Sequence, residues 1–110
     1  LARSAARLVE SRTLARVRWY REPDGETVAT YTLPDFAGLP GTPLPRKVVA
    51  EARPYPAGAP PVFFGHYWLD DPAPSPLAPN VFCLDYSVAR GGFLCAYRWE
   101  GEGGGFLTAR

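Results

Sequence analysis

Eight of the 28 residues from Pro34 to Pro61 are proline: Pro34, Pro40, Pro43, Pro45, Pro54, Pro56, Pro60 and Pro61. Each lacks a backbone donor and holds φ near about −65°. Each also biases the residue before it to extended geometry. No long helix fits such a stretch. It reads as an extended surface connection, anchored by Phe36 and Leu39, with one short strand or helical turn at Arg46 to Glu51. A second proline-rich loop, Asp70 to Pro79, carries Pro72, Pro74, Pro76 and Pro79. The chain is thereby punctuated into a first part (1–33), a connection (34–61) and a second part (62–110).

Between the prolines the patterning favours strands. Leu1, Ala5 and Leu8 recur at helical spacing, which predicts a short helix over Ala2 to Arg12, with Arg3, Arg7 and Arg12 on its solvated face. Leu14 to Tyr20 alternates apolar and basic residues as a half-exposed strand does. Pro23-Asp24-Gly25 is a turn signal, and Thr27 to Leu33 is rich in strand formers, so these segments predict a hairpin. Val62 to Phe64 reads as a short buried strand, ended at Gly65 where glycine is free to turn. Asn80 introduces a strand over Val81 to Val88. Ala89-Arg90-Gly91-Gly92 is a turn, and Phe93 to Trp99 is the return strand. That register sets Val88 opposite Phe93, Tyr86 opposite Cys95 and Leu84 opposite Tyr97. One face then holds Leu84, Tyr86, Val88, Phe93, Cys95, Tyr97 and Trp99, and Arg98 lies opposite Cys83 and diagonal to Asp85. Gly101 to Gly105 reads as a linker to a last strand at Phe106-Leu107-Thr108. The expected fold class is α+β, mostly β.

With 12 basic and 11 acidic residues the net charge is +1, which gives no broad field for nucleic acid or an anionic membrane. No apolar run reaches the roughly 18 residues of a membrane span. Cys83 and Cys95 fall on opposite faces of the expected hairpin. They are expected to be free, buried thiols in a reducing, cytoplasmic setting. Leu1 stands where an initiator Met would, so the chain is expected to be a fragment, a processed product or a trimmed piece.

The chemistry is narrowly bounded. Gly101 to Gly105 lacks the following helix and lysine of a phosphate loop. Ser4, Ser11, Ser75 and Ser87 lack the glycines of a nucleophile elbow. His66 is the single histidine, so any imidazole-dependent site uses it. It follows the Val62–Phe64 strand and precedes Tyr67 and Trp68. Imidazole is the commonest metal ligand. A packed histidine, an aromatic recognition edge formed by His66, Tyr67 and Trp68 in a non-catalytic β-rich binding or structural module, and a self-contained metal site with Asp70 and Asp71 are the other readings.

Val62-Phe63-Phe64-Gly65-His66-Tyr67-Trp68-Leu69, then Pro79-Asn80-Val81-Phe82-Cys83-Leu84-Asp85-Tyr86-Ser87-Val88-Ala89, then Gly91-Gly92 and Ala96-Tyr97-Arg98-Trp99-Glu100-Gly101-Glu102, resemble the C-terminal part of bacterial calcineurin-like metallophosphoesterases, in the branch of the serine/threonine protein phosphatases and diadenosine-tetraphosphatases. The resemblance implies a four-layer αββα sandwich of which residues 1–110 are the C-terminal portion. It implies a metal-dependent phosphoester hydrolase with two divalent ions, of Mn or Fe/Zn type, acting on a phosphorylated substrate such as a phosphoprotein or a nucleotide polyphosphate. Carried over to this chain, it makes His66 one metal ligand. Trp68 stands where some members have a further histidine, and Asp85-Tyr86-Ser87 is assigned no chemistry. The family's other ligand motifs are not in this sequence. The chain alone is therefore expected to be inactive and to hold no metal tightly, and an inactive remnant is the alternative.

Overall fold

The computed structural model describes residues 16–33, 38–101 and 103–110. The expected helix over Ala2 to Arg12, the start of the first strand at Leu14, and Phe36 lie outside them. Among these residues two short helices, α1 (Val28–Tyr31) and α2 (Arg46–Glu51), and five strands, β1 (Val62–Phe64), β2 (Val81–Cys83), β3 (Asp85–Tyr86), β4 (Phe93–Trp99) and β5 (Gly104–Ala109), make a mixed, mostly β structure. It divides into two compact units, Leu1–Pro56 and Ala57–Arg110.

In the first unit the expected return strand over Thr27 to Leu33 is not formed. Thr27 caps a single helical turn instead. The Thr30 amide donates to Thr27 Oγ1 (3.2 Å), and the Thr27 amide donates to Thr30 Oγ1 (2.9 Å). These reciprocal bonds satisfy donors that a strand would have had to pair elsewhere, and they outweigh the strand preference of the β-branched residues. What remains of the hairpin is one bridge, Val17 to Thr32. It is flanked by Arg18 N–H to Tyr31 O (2.8 Å) and Leu33 N–H to Arg16 O (3.1 Å). The expected turn is present: Glu26 N–H donates to Pro23 O at 3.0 Å, and Gly25 has φ +77°.

The proline-rich stretch folds back on this turn through its carbonyls, the group that proline retains. Val28 N–H donates to Thr42 O and Ala29 N–H to Pro40 O, both at 3.0 Å, and Val48 N–H donates to Pro45 O at the start of α2. The helical turn at Arg46 to Glu51 is thus as expected. Tyr20, Tyr31 and Leu33 are buried. The Tyr31 hydroxyl donates to Arg21 O at 2.8 Å, and burial pushes its pKa up.

In the second unit β1 and β2 pair in parallel, with Val62 opposite Val81 and Phe64 opposite Cys83. β3, β4 and β5 form a separate antiparallel sheet. The expected strand over Val81 to Val88 is therefore split at Leu84, whose amide donates to Phe64 O (2.8 Å) and so serves β1, not β4. β1 is also less covered than expected, since Phe63 is 39% exposed.

The hairpin register differs by two residues. Tyr86 lies opposite Phe93 and Asp85 opposite Leu94, because Ser87 turns left-handed (φ +61°) and Val88–Arg90 winds into a 3-10 turn. A shift of two preserves side-chain parity. Tyr86, Phe93 and Cys95 still share a buried face, with the Tyr86 and Phe93 rings stacked at 5.0 Å. Val88 (54%) and Trp99 (45%) are exposed instead. Arg98 pairs with Gly105, not Cys83. The Gly101 to Gly105 linker is in fact a tight turn into β5: Glu100 N–H donates to Gly103 O (2.7 Å), and six residue pairs join β4 and β5. Glycine is required at 104, because a Cβ there would land on the Arg98 carbonyl oxygen.

Both cysteines are free and buried, and burial pushes the Cys95 thiol up. They lie in different sheets, not on opposite faces of one hairpin. Phe82 stacks on Phe63 (5.0 Å) and packs against Tyr97 (4.6 Å). Tyr97 meets Phe106 edge-on (4.9 Å). Each such pair adds about 0.5–1.5 kcal/mol beyond its area burial. No helix among the described residues is long and apolar enough to cross a membrane.

Candidate functional site

Because β1 and β2 run parallel, their carboxyl ends open at the same side, where ligands collect in open α/β sheets. β1 delivers Gly65-His66-Tyr67-Trp68 to that end, and β2 delivers Leu84-Asp85. The two segments are stitched together. Leu69 N–H donates to Asp85 O at 3.0 Å, and the Ser87 hydroxyl donates to Leu69 O at 2.8 Å. Asp85 Oδ1 accepts the Ser87 amide at 3.1 Å, which orients its carboxylate. The β-carbon that an alanine would carry at position 65 would lie 3.9 Å from Asp85 Cβ.

The backbone here is strained. Among the described residues the non-glycine positions with positive φ are His66 (+71°), Trp68 (+55°) and Ser87 (+61°), and all three lie in these stitched segments. Each such conformation costs on the order of 1 kcal/mol and persists where the surroundings enforce it. Gly65, expected to make the turn, has no positive φ. The turn is carried one residue later, by the histidine itself.

His66 is exposed at the end of β1. Tyr67 packs edge-on against Phe64 (4.8 Å). Trp68 is half-buried beneath the Arg90 guanidinium, whose central carbon lies 4.3 Å from the ring centroid. Tyr67 and Trp68 thus each have a ring partner, Phe64 and Arg90 respectively. Asp70 and Asp71 are exposed in the proline-rich loop. No group of three or more His, Cys, Asp and Glu able to hold a metal ion exists among the described residues. The donors at these strand ends, His66 after β1 and Asp85 after β2, do not by themselves fit a complete metal site.

Arg90 and the Asp85–Ser87 pair escaped the sequence reading. Ala89-Arg90-Gly91-Gly92 carries only a turn signal, and nothing local to it marks the long-range approach to Trp68. Comparison with models of known protein families, with curated proteins and with solved structures returns no match.

Proposed function

We propose that this chain is the C-terminal part of a metal-dependent phosphoester hydrolase, in which His66 is one ligand of a two-metal centre and the remaining donors come from outside these 110 residues. The observation that carries the reading is an exposed imidazole held at φ +71° just beyond β1 and Gly65, at the carboxyl end of a parallel strand pair. A histidine that served only to turn the chain would be replaced by glycine at no steric cost.

In this reading the strands belong to a larger αββα sandwich. Among the described residues β1 and β5 are edge strands, and with exposed Phe63, Leu94, Trp99 and Leu107 they are what a part built to pack against more protein would display. The metal ions, when bound, would lower the pKa of a water and offset charge on the phosphoryl oxygens. His66 would hold one of them through a ring nitrogen. The Leu69–Asp85 and Ser87–Leu69 bonds would keep that nitrogen in place relative to β2. The substrate would be a phosphorylated protein or a nucleotide polyphosphate, in the cytoplasm.

The test is turnover of p-nitrophenyl phosphate with Mn2+ by the product of the complete reading frame, with and without His66→Ala. The variant should lose at least about 100-fold in kcat/KM, an effect larger than that of removing an outer-shell partner, with an unchanged circular dichroism spectrum. A variant that keeps its turnover, or a parent protein with no metal-dependent turnover, overturns the reading.

A further inference from the structure

Arg90 is exposed, and the salt bridges among the described residues, Arg21–Glu26 and Lys47–Glu51, do not involve it. Its guanidinium lies over the Trp68 ring, the central carbon 4.3 Å from the centroid. A guanidinium stacked on an aromatic face keeps its N–H donors in its own plane, pointing outward past the ring. Those donors match the spacing of two oxygens on one phosphorus, and the pair forms charge-assisted bonds.

Backbone strain sets this arrangement from both sides. Trp68 holds φ +55°, and Ser87 holds φ +61° immediately before the turn that carries Arg90. Ser87 also accepts the Arg90 amide on its carbonyl (2.8 Å) and donates its hydroxyl to Leu69, the neighbour of Trp68. The same residue therefore sets the base of the arginine and the base of its platform. Trp68 is two residues from His66, within about 7 Å along an extended chain.

We propose that Arg90, braced on Trp68, is a phosphate-binding arm at the carboxyl end of the β1–β2 pair, taking two oxygens of a phosphate dianion, free or as a terminal monoester. Arg90 touches the anion. Trp68 is a positioning residue that acts through Arg90. The identification of the anion as phosphate rests on the hydrolase reading, whereas the braced guanidinium does not.

The test needs no metal. The Arg90 side-chain Nε–H and Trp68 indole N–H resonances of the isotopically labelled chain are followed while inorganic phosphate, and separately phenyl phosphate, is added against chloride of matched ionic strength. Both resonances should shift and saturate at millimolar phosphate. Arg90→Ala should abolish the saturable shift, and Arg90→Lys should weaken binding about tenfold because the planar fork is lost. Trp68→Phe should keep most of the affinity, and Trp68→Leu should lose it although the arginine is still present, because the guanidinium loses its platform. Shifts no larger than those with chloride, or phosphate binding that survives Arg90→Ala, overturn the proposal. A full phosphate response beside an inactive complete protein would sink the hydrolase reading and leave the arginine site standing. Equal responses to phosphate and phenyl phosphate identify the terminal dianion as the recognised group. A response to phosphate alone contradicts a monoester site.

Discussion

Two sets of reversals in the second unit solve one backbone problem in opposite ways. After the 3-10 turn and after β4 the chain enters the left-handed region at Gly91 (φ +90°) and Gly101 (φ +91°), where glycine is at no disadvantage. At the carboxyl ends of β1 and β2 it enters the same region at His66, Trp68 and Ser87. The difference teaches where the molecule needs only to turn and where it needs a side chain at the turn. On the proposed reading, strain retained by an exposed histidine and by a tryptophan under an arginine is kept for what those side chains bind.

The largest effect that can sharpen this contrast is at Gly92. A Cβ there would land on the Tyr86 carbonyl oxygen, so Gly92→Ala should cost at least about 3 kcal/mol in urea unfolding. A loss under 1 kcal/mol would show that the β3–β4 turn tolerates rebuilding. Gly91→Ala, with no atom within 4 Å of the added carbon but a φ of +90°, should cost only about 1 kcal/mol. The two neighbours thus separate steric from conformational demands.

At the strained end the same preference should hold. His66→Gly should be about 1 kcal/mol more stable than His66→Ala, since only alanine keeps the left-handed penalty.

The Tyr86 phenol has its pKa raised by burial, and its oxygen accepts the Ser75 amide at 3.3 Å. The folded phenol holds its proton more tightly than the unfolded one. Its contribution is therefore complete below about pH 10 and is lost as the pH rises through the raised folded value. Tyr86→Phe should flatten the alkaline limb of a stability-against-pH curve and cost about 1 kcal/mol at neutral pH.

The smallest effect belongs to the first unit. The Arg21 guanidinium, bonded to Glu26 at 2.7 and 2.8 Å, lowers the Glu26 pKa below 4.5. That stabilisation is present above pH 4.5 and fades as the pH falls through the folded value. The pair is partly exposed, so Glu26→Gln should cost about 0.5 kcal/mol or less at pH 7.

What was legible in the sequence was local. The proline pattern excluded long helices and left room for α2. Val62 to Phe64 read as a strand, Pro23 to Gly25 as a turn, and the two cysteines as free buried thiols. Local competition misled in one place: Thr27 and Thr30 favour a strand by composition but formed a cap by hydrogen bonding. Pairing was not legible, because partners of β2 and β4 are chosen over long separations. Leu84 looked like part of a continuous strand until its amide went to Phe64. Tyr86, Phe93 and Cys95 kept their common face only because the register moved by an even number. The position of His66 at a strand end was readable, but its positive φ was not, since Gly65 beside it was the residue expected to turn. The approach of Arg90 to Trp68 depends on the Ser87 conformation and had no sequence signal.

The most direct test of the central contrast is equilibrium urea unfolding of His66→Gly against the parent chain. If His66 is held in strain for its imidazole, the glycine variant should be no less stable than the parent, to within about 0.5 kcal/mol. A loss above about 1 kcal/mol would show that the imidazole is there to hold the fold, and would contradict the account.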